Sequence, residues 1–127
     1  MTEHAEHSIA IGVEAAYLPD QSHPQEGRYA FAYTITILNE GTITARLVNR
    51  HWVITDANGK VQEVRGQGVV GEQPNLRPGE HFRYTSGTLL DTPVGSMEGE
   101  YEMEDERGER FLAAIPAFSL SVPRALH

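Results

Sequence analysis

Apolar and polar residues alternate with period two along most of this chain. The clearest example runs from Arg28 to Asn39, where every second residue is aromatic or β-branched and the residues between them are small or carry hydroxyls. This pattern is typical of a strand that buries one face. The chain contains seven or eight such segments at short spacing, and none has the period of a helix. The sequence therefore predicts an all-β fold class, a two-sheet antiparallel sandwich of about seven strands, with a small closed barrel as the alternative.

Turn residues separate the predicted strands. Asn58-Gly59 predicts a hairpin because both residues tolerate a positive φ. The alternation breaks near Asn49, where neither face is cleanly apolar, so we expect a β-bulge that shifts the register. Trp52, the only tryptophan, is predicted to lie in the core. Pro116 has no N–H and marks an edge or a break in the last strand.

Gly66 to Gly71 spells GxGxxG, the glycine pattern of dinucleotide-binding loops. That pattern holds a pyrophosphate where a helix follows, because the helix N-terminus supplies N–H groups and the positive end of its dipole. Here Pro74 and Pro78 interrupt the following residues, and an interior proline costs a helix about 3 kcal/mol. We predict instead an ordered loop, within the region from Val64 to Pro74, whose exposed valines meet a protein partner. The candidate partner-binding residues are Gly66, Gln67, Gly68, Val69, Val70, Gly71 and Glu72.

Glutamates at positions 98, 100, 102 and 104 share one face of the strand predicted from Met97 to Asp105. Like charges on one face need solvent, cations or a basic partner, and a solvated edge that discourages aggregation is the simplest interpretation. Side chains two apart on a flat strand lie roughly 6–7 Å from one another, whereas a tight calcium or magnesium site needs oxygens at about 2–2.6 Å from the ion. No metal site is predicted, and divalent-cation binding at the Glu98–Glu104 face is kept as an alternative. The six histidines are scattered, without a recognisable ligand spacing.

Composition narrows the function classes. The 127 residues fit one domain, 1–127, in which residues 1–7 are predicted to be a disordered N-terminus. A net charge of −8 disfavours nucleic acid and anionic membranes as partners. The absence of cysteine excludes disulfides and thiol chemistry, and no apolar run reaches the roughly 20 residues of a membrane span. The first residues lack the features of a signal peptide, so we expect a cytoplasmic protein.

Several ordered blocks along nearly the whole chain closely resemble the bacterial ApaG (CorD) family, and they lie at residues 50–59, 64–74, 78–80, 84–87, 95–99 and 115–118. The resemblance implies a fibronectin type III-like or immunoglobulin-like sandwich and no established enzymatic activity. It also implies an association with cobalt resistance and magnesium transport, and a gene neighbourhood with a diadenosine tetraphosphate hydrolase. ApaG-like domains of eukaryotic F-box and DNA-polymerase-interacting proteins resemble protein-binding modules. The resemblance supplies no catalytic residues.

These observations favour a non-enzymatic module that binds a protein partner and needs no cofactor. The chain has no GxSxG elbow, no SxxK motif and no P-loop, so no catalytic residues are predicted. The alternative is a small-ligand or cation-responsive protein that binds nucleotide or pyrophosphate at Gly66–Gly71, or a metal at Glu98–Glu104. An enzyme acting on diadenosine polyphosphates is a third hypothesis that rests on gene neighbourhood alone. The partner's identity and the oligomeric state are left open.

Overall fold

The computed structural model describes residues 5–123, and these form eight strands and two short 3₁₀ turns, Pro19–Gln21 and Pro24–Glu26. None of the helical segments in this part of the chain is long and apolar enough to cross a membrane. The strands are β1 (Ile9–Tyr17), β2 (Tyr29–Asn39), β3 (Ala45–Asp56), β4 (Val61–Gln67), β5 (Asn75–Leu76), β6 (His81–Leu90), β7 (Val94–Asp105) and β8 (Arg110–Ser121).

Two antiparallel sheets pack face to face, which confirms the predicted sandwich. One sheet has the order β1-β2-β6, and the other has the order β4-β3-β7-β8, with β5 paired to the start of β3. β1 packs against β8, so the two sheets meet on that side of the sandwich. On the opposite side, β4 and β6 are the terminal strands of their sheets within residues 5–123.

The core lies between the inner faces of the two sheets. Alternate residues of β2 are buried from Phe31 to Ile37, as the period-two pattern predicts. Trp52 on β3 is only 2% exposed, which confirms its predicted place in the core. Its ring centroid lies 5.3 Å from that of Tyr33 and 6.0 Å from that of Phe118, in edge-to-face arrangements that aromatic pairs prefer. Trp52 therefore ties the inner face of one sheet to the other.

A β-bulge interrupts the pairing of β3 with β7 between Leu47 and Asn49, close to the predicted position. Leu47 and Val48 are both buried, so the bulge lets two consecutive residues face the interior before the alternation resumes. The carbonyl of Val48 accepts hydrogen bonds from the backbone N–H of Gly68 at 2.8 Å and from Nε2 of Gln73 at 3.0 Å. The bulge on β3 thus fixes a loop that lies about twenty residues further along the chain.

The structure departs from the sequence predictions at several boundaries. β4 continues to Gln67, so Gly66 and Gln67 belong to the strand and not to the predicted loop. A short strand, β5, lies between Pro74 and Pro78, in the stretch that follows the glycine pattern. Of the predicted disordered segment 1–7, residues 1–4 lie outside those described, whereas the ring of His7 stacks on Phe111 at 3.8 Å. The end of that segment is therefore in contact with β8.

Candidate functional site

Residues Gly66–Glu72, here called the glycine hairpin, end in a tight two-residue turn. The backbone N–H of Val69 donates to the carbonyl of Glu72 at 2.8 Å, and the N–H of Glu72 donates back at 2.9 Å. The two central residues, Val70 and Gly71, have φ values of 44° and 81°. Positive φ at both central positions is the signature of a type I′ turn, in which Asn-Gly is the usual sequence. Val70 is the one non-glycine residue with positive φ among residues 5–123, and its branched Cβ makes that conformation costly.

Arg50 on β3 fixes the start of the hairpin. Its Nη1 donates to the carbonyl oxygens of Gln67 at 3.0 Å and of Gly68 at 2.9 Å. The guanidinium passes over Gly66, which is the cross-strand neighbour of Arg50, and a Cβ at Gly66 would lie 2.6 Å from Nη2. The first glycine of the pattern therefore makes room for an arginine side chain.

Gly68 has a different reason to be glycine. Its φ is 64°, and a Cβ at this position would lie 2.4 Å from the carbonyl oxygen of Glu72. The chain can therefore turn back toward Glu72 only where no side chain intervenes. Together with Gly71 in the turn, every glycine of the GxGxxG string serves local backbone geometry or packing.

The two valines of the hairpin have opposite environments. Val69 is 1% exposed and belongs to the core, so the prediction that Val69 is exposed is wrong. Val70 is 55% exposed, as expected. The difference arises because the bulge at Val48 and the close approach at Gly68 aim Val69 inward, and the tight turn then directs the next side chain outward. One valine thus anchors the hairpin while the other is presented to solvent.

The hairpin lacks the helix that a dinucleotide-binding loop requires. The next element after it, within the described part of the chain, is the short strand β5. The N–H groups of Gly68, Val69 and Glu72 already donate to carbonyls of the same chain. The GxGxxG string therefore runs from the end of β4 into a tight turn, which an isolated bridge between Val69 and Glu72 closes, before the chain rejoins β3 as β5.

A shallow groove of about 500 Å³ lies on the sheet beside the hairpin. His51 lines it, with Nδ1 3.6 Å from a carboxylate oxygen of Glu100 and Nε2 3.7 Å from one of Glu63. His51 Nε2 is buried and has no hydrogen-bond partner among residues 5–123. The groove therefore offers charges of both signs next to the hairpin, and its lining residues are Asn49, Arg50, His51, Arg65, Gly66, Gln67, Glu100, Glu102 and Leu112.

The glutamates of β7 point outward, as predicted, but two of them are already paired. Glu102 Oε1 accepts hydrogen bonds from Asn49 Nδ2 at 2.7 Å and from Arg110 Nη1 at 2.9 Å. Glu104 Oε2 accepts from Arg110 Nε at 2.7 Å. A cation at this face would compete with the guanidinium of Arg110 for the same oxygens.

Comparison with known proteins decides the family. The sequence model of the ApaG domain matches residues 19–105. The chain belongs to the ApaG family. The protein named ApaG from Nitrosospira multiformis is 59% identical over 127 residues, which is 100% of both chains, and that of Thiobacillus denitrificans is equally similar over the same length. A crystal structure described as an ApaA protein from Bordetella pertussis is 46% identical, covers 97% of this chain and 100% of its own, and has a TM-score of 0.93.

The match to the ApaG domain includes the glycine hairpin, the bulge at Val48, the anchoring Arg50 and the capping Gln73. Sequence reasoning predicted an ordered loop here and a bulge near Asn49, but it did not identify Arg50 and Gln73 as the side chains that hold the loop. Arg50 and Gly66 are sixteen positions apart, and only the observed β3–β4 register shows that they face each other. The ApaG domain match ends at Asp105, so Arg110 and the rest of β8 lie outside it.

Asp105, the last residue of the ApaG domain match, organises a separate cluster at the β7–β8 turn. Its Oδ2 lies 2.8 Å from His7 Nε2, and its Oδ1 accepts the backbone N–H groups of Arg107 and Glu109. The His7 hydrogen bond, followed by those backbone N–H groups and Arg107, holds the pKa of Asp105 well below its usual range, although burial opposes this. His7, Asp105 and Glu109 have ligand-type atoms within 4.8 Å of one another, but Arg107 Nη2 donates to both carboxylates. A cation at this cluster would therefore compete with Arg107 for both carboxylates.

The interior near Arg50 contains a tyrosine pair. The hydroxyls of Tyr84 on β6 and Tyr101 on β7 lie 2.5 Å apart and are hydrogen-bonded across the two sheets. Burial raises the pKa of Tyr84 to about 12 and raises that of Tyr101 further. Both hydroxyls therefore stay protonated at neutral pH and satisfy each other between the sheets.

Proposed function

We propose that this ApaG-family chain is a non-enzymatic binding module that recognises a protein partner through the glycine hairpin. The observation that carries the proposal is Val70, whose β-branched side chain is 55% exposed at a φ of 44°. This conformation costs an L-residue about 1–2 kcal/mol relative to glycine. Asparagine or glycine would fit the turn better, and the fold makes little use of the Val70 side chain. A contact with a partner accounts for a valine at this position.

The surroundings of Val70 support a recognition role. The buried Val69, the Arg50 hydrogen bonds to two carbonyls and the Gln73 contact to Val48 hold the turn in one conformation. A side chain presented on a rigid turn loses little conformational entropy on binding, which favours affinity. The groove beside the hairpin adds charged groups of both signs that can orient a partner.

A pull-down from an extract of the source cell, with quantitative mass spectrometry, tests the proposal. The full chain is compared with Val70→Asp and with Val94→Asp, a control at another exposed valine far from the hairpin. We expect a protein that the native chain and Val94→Asp both capture and that Val70→Asp captures at least about tenfold less, because a charge would enter an apolar contact. Equal recovery of all partners with Val70→Asp would refute recognition through the hairpin.

The alternative hypotheses have less support. Three hairpin N–H groups are engaged within the chain, and Arg110 occupies oxygens of Glu102 and Glu104. NMR titrations with a nucleotide, with pyrophosphate and with magnesium or cobalt address them directly. Shifts confined to residues 66–71 or 98–104 would favour the small-ligand or cation hypothesis. A cytoplasmic location and a link to cobalt or magnesium homeostasis stay predictions.

A further inference from the structure

Strand β4 is a free edge of the four-stranded sheet. It pairs with β3 on one side, and no other strand in residues 5–123 pairs with it on the other. An unpaired edge is a template for another strand, and proteins usually block such edges with proline, bulges or charged side chains. β4 contains no proline, and its pairing with β3 shows no register shift from Asn49 to Thr55.

The outer backbone groups of β4 belong to alternate residues. Gly68 N–H donates to Val48 and Asp56 N–H donates to Lys60, so the hydrogen-bonded pairs of this ladder include the even-numbered positions of β4. In an antiparallel ladder the residues between them turn their N–H and C=O groups the other way. The N–H and C=O groups of residues 61, 63, 65 and 67 therefore face the free edge.

The other edge of the same sheet is blocked. β8 carries Pro116, which has no N–H to offer, and the β7–β8 pairing shifts register between Met97 and Gly99 beside it. On the smaller sheet, the edge strand β6 has one residue of the Arg, Lys, Asp and Glu types, Arg83, and antiparallel self-pairing centred there would oppose two arginines. β4 is thus the edge best suited to accept a strand.

The charges of β4 are self-complementary. Glu63 and Arg65 are both exposed and lie two positions apart with their side chains on the same face. When two copies of β4 run antiparallel about a two-fold axis at Val64, Glu63 of each copy faces Arg65 of the other. Shifting the pairing by two residues in either direction keeps the backbone groups aligned. Such a shift would place Glu63 against Glu63 or Arg65 against Arg65. Charge therefore selects one register.

We infer that two copies of this chain associate through β4, in antiparallel register centred on Val64, and so join their larger sheets into one continuous sheet. In this register residues 63 and 65 form hydrogen-bonded pairs, and Val64 meets its own symmetry mate in a non-hydrogen-bonded pair. Val64 is 36% exposed and lines an open cleft beside Phe31 and Ile54, so pairing covers part of that cleft. The partner is a second copy, because the edge matches itself.

The association is expected to be weak. A seven-residue edge covers less than the roughly 800 Å² per partner of a standard interface. Sedimentation velocity from about 10 μM to about 1 mM therefore spans the useful range. This inference does not depend on the proposed binding by the glycine hairpin, since the β4 variants described below leave Val70 unchanged.

Charge exchange tests the register. Glu63→Arg and Arg65→Glu each create like-charge pairs across the axis, so each variant alone should dimerise about tenfold more weakly. An equimolar mixture of the two variants restores both ion pairs and should dimerise again, as should the double exchange Glu63→Arg/Arg65→Glu. Arg83→Glu on β6 is the matched control and should leave dimerisation unchanged. A chain that stays monomeric at about 1 mM, or a dimer that both single exchanges leave intact, overturns the inference.

Disulfide cross-linking is an independent test of the register, and the chain has no cysteine of its own to interfere. In the inferred register the two Cα atoms at Val64 are about 4.5 Å apart, which suits a disulfide. Val61 is more exposed at 57%, but its two copies would lie about 20 Å apart along the ladder. Val64→Cys should oxidise to a covalent dimer at least about tenfold faster than Val61→Cys, since proximity governs the rate. Equal rates in two folded variants would contradict this register.

Discussion

Arg50 lies across Gly66, with its guanidinium in the space that a side chain at position 66 would occupy. The pair links two neighbouring strands, and the same guanidinium reaches the carbonyls of Gln67 and Gly68. A glycine that the sequence shares with phosphate-binding loops thus leaves room here for an arginine of the same chain.

Gly66→Ala should destabilise the fold. The new methyl group would displace the Arg50 guanidinium from its two carbonyl partners, and hydrogen bonds to charged groups contribute about 1.5–3 kcal/mol. The end of the Arg50 side chain can move aside and its bonds are partly exposed, so we expect the free energy of unfolding to fall by about 0.5–1.5 kcal/mol, measured by urea denaturation. Gly12→Ala on β1 is the control, since a Cβ there meets only Thr36 at 3.8 Å, and it should be neutral or slightly stabilising. An equal change in both variants would show that Arg50 is not the cause.

Val70→Asn should stabilise the fold while weakening partner capture. Asparagine accepts the positive φ of the type I′ turn, so relief of strain should raise the free energy of unfolding by about 1 kcal/mol. Val61→Asn is matched in exposure but lies on a strand, where asparagine is disfavoured, and should lower stability slightly. Thermal unfolding of the three proteins measures the changes in stability, and the pull-down measures partner capture. A Val70→Asn protein less stable than the native chain would contradict the strain at this position.

Removing one hydroxyl of the Tyr84–Tyr101 pair should cost more than removing both. Tyr84→Phe or Tyr101→Phe leaves a buried hydroxyl without its partner, at about 1–3 kcal/mol, whereas the double variant removes the polar pair entirely. A double-mutant cycle on the free energy of unfolding measures the difference. Strictly additive single effects would mean that the two hydroxyls do not interact.

The same pair predicts a loss of stability in alkali. The pKa of Tyr84 is near 10 in the unfolded chain and about 12 in the folded protein, and that of Tyr101 is raised further. Above about pH 10 the unfolded state releases protons that the folded state retains, so stability should fall as the pH rises toward 12. Urea midpoints at pH 8, 10 and 11 measure the slope. The Tyr84→Phe/Tyr101→Phe double variant should flatten it, and an unchanged slope would assign the effect to other groups.

Asp105 predicts a loss of stability in acid. Its pKa is held below the unfolded value of 3.8, first by the His7 hydrogen bond, so the folded carboxyl stays ionised while the unfolded one takes up a proton. Stability should therefore fall as the pH drops below about 4. Asp105→Asn should flatten this dependence in thermal unfolding between pH 7 and pH 3. Asp91→Asn, at an exposed carboxylate paired with Lys60, should leave it in place.

The sequence predicts the sandwich well because each strand carries its own period-two pattern. It also predicts the bulge near Asn49, because the break in the alternation of apolar and polar residues is visible within a single strand. It does not predict the environment of Val69, because that depends on Val48 and Gly68, which meet only when β3 and β4 pair. Burial at the site is thus set by contacts between segments, which a local pattern does not encode.

The hairpin at Asn58-Gly59 shows that a shift of one residue in strand register changes which residues face each other. The turn exists as predicted, but Asp56 pairs with Lys60 across a three-residue loop, and of the two residues only Gly59 has a positive φ. A two-residue turn at Asn58-Gly59 would have moved the pairing by one position and placed His51, rather than Arg50, opposite Gly66. The anchor of the glycine hairpin could therefore not be assigned before the register was known.

The packing of β1 on β8 has a practical meaning for work on this molecule. These strands form the side of the sandwich opposite β4, so a fluorophore, surface linker or fusion domain attached beside either of them points away from the glycine hairpin. Immobilisation through that side leaves Val70 and the β4 edge accessible in the same orientation on every molecule. A single handle thus serves both partner-capture and self-association measurements without shielding the surfaces under test.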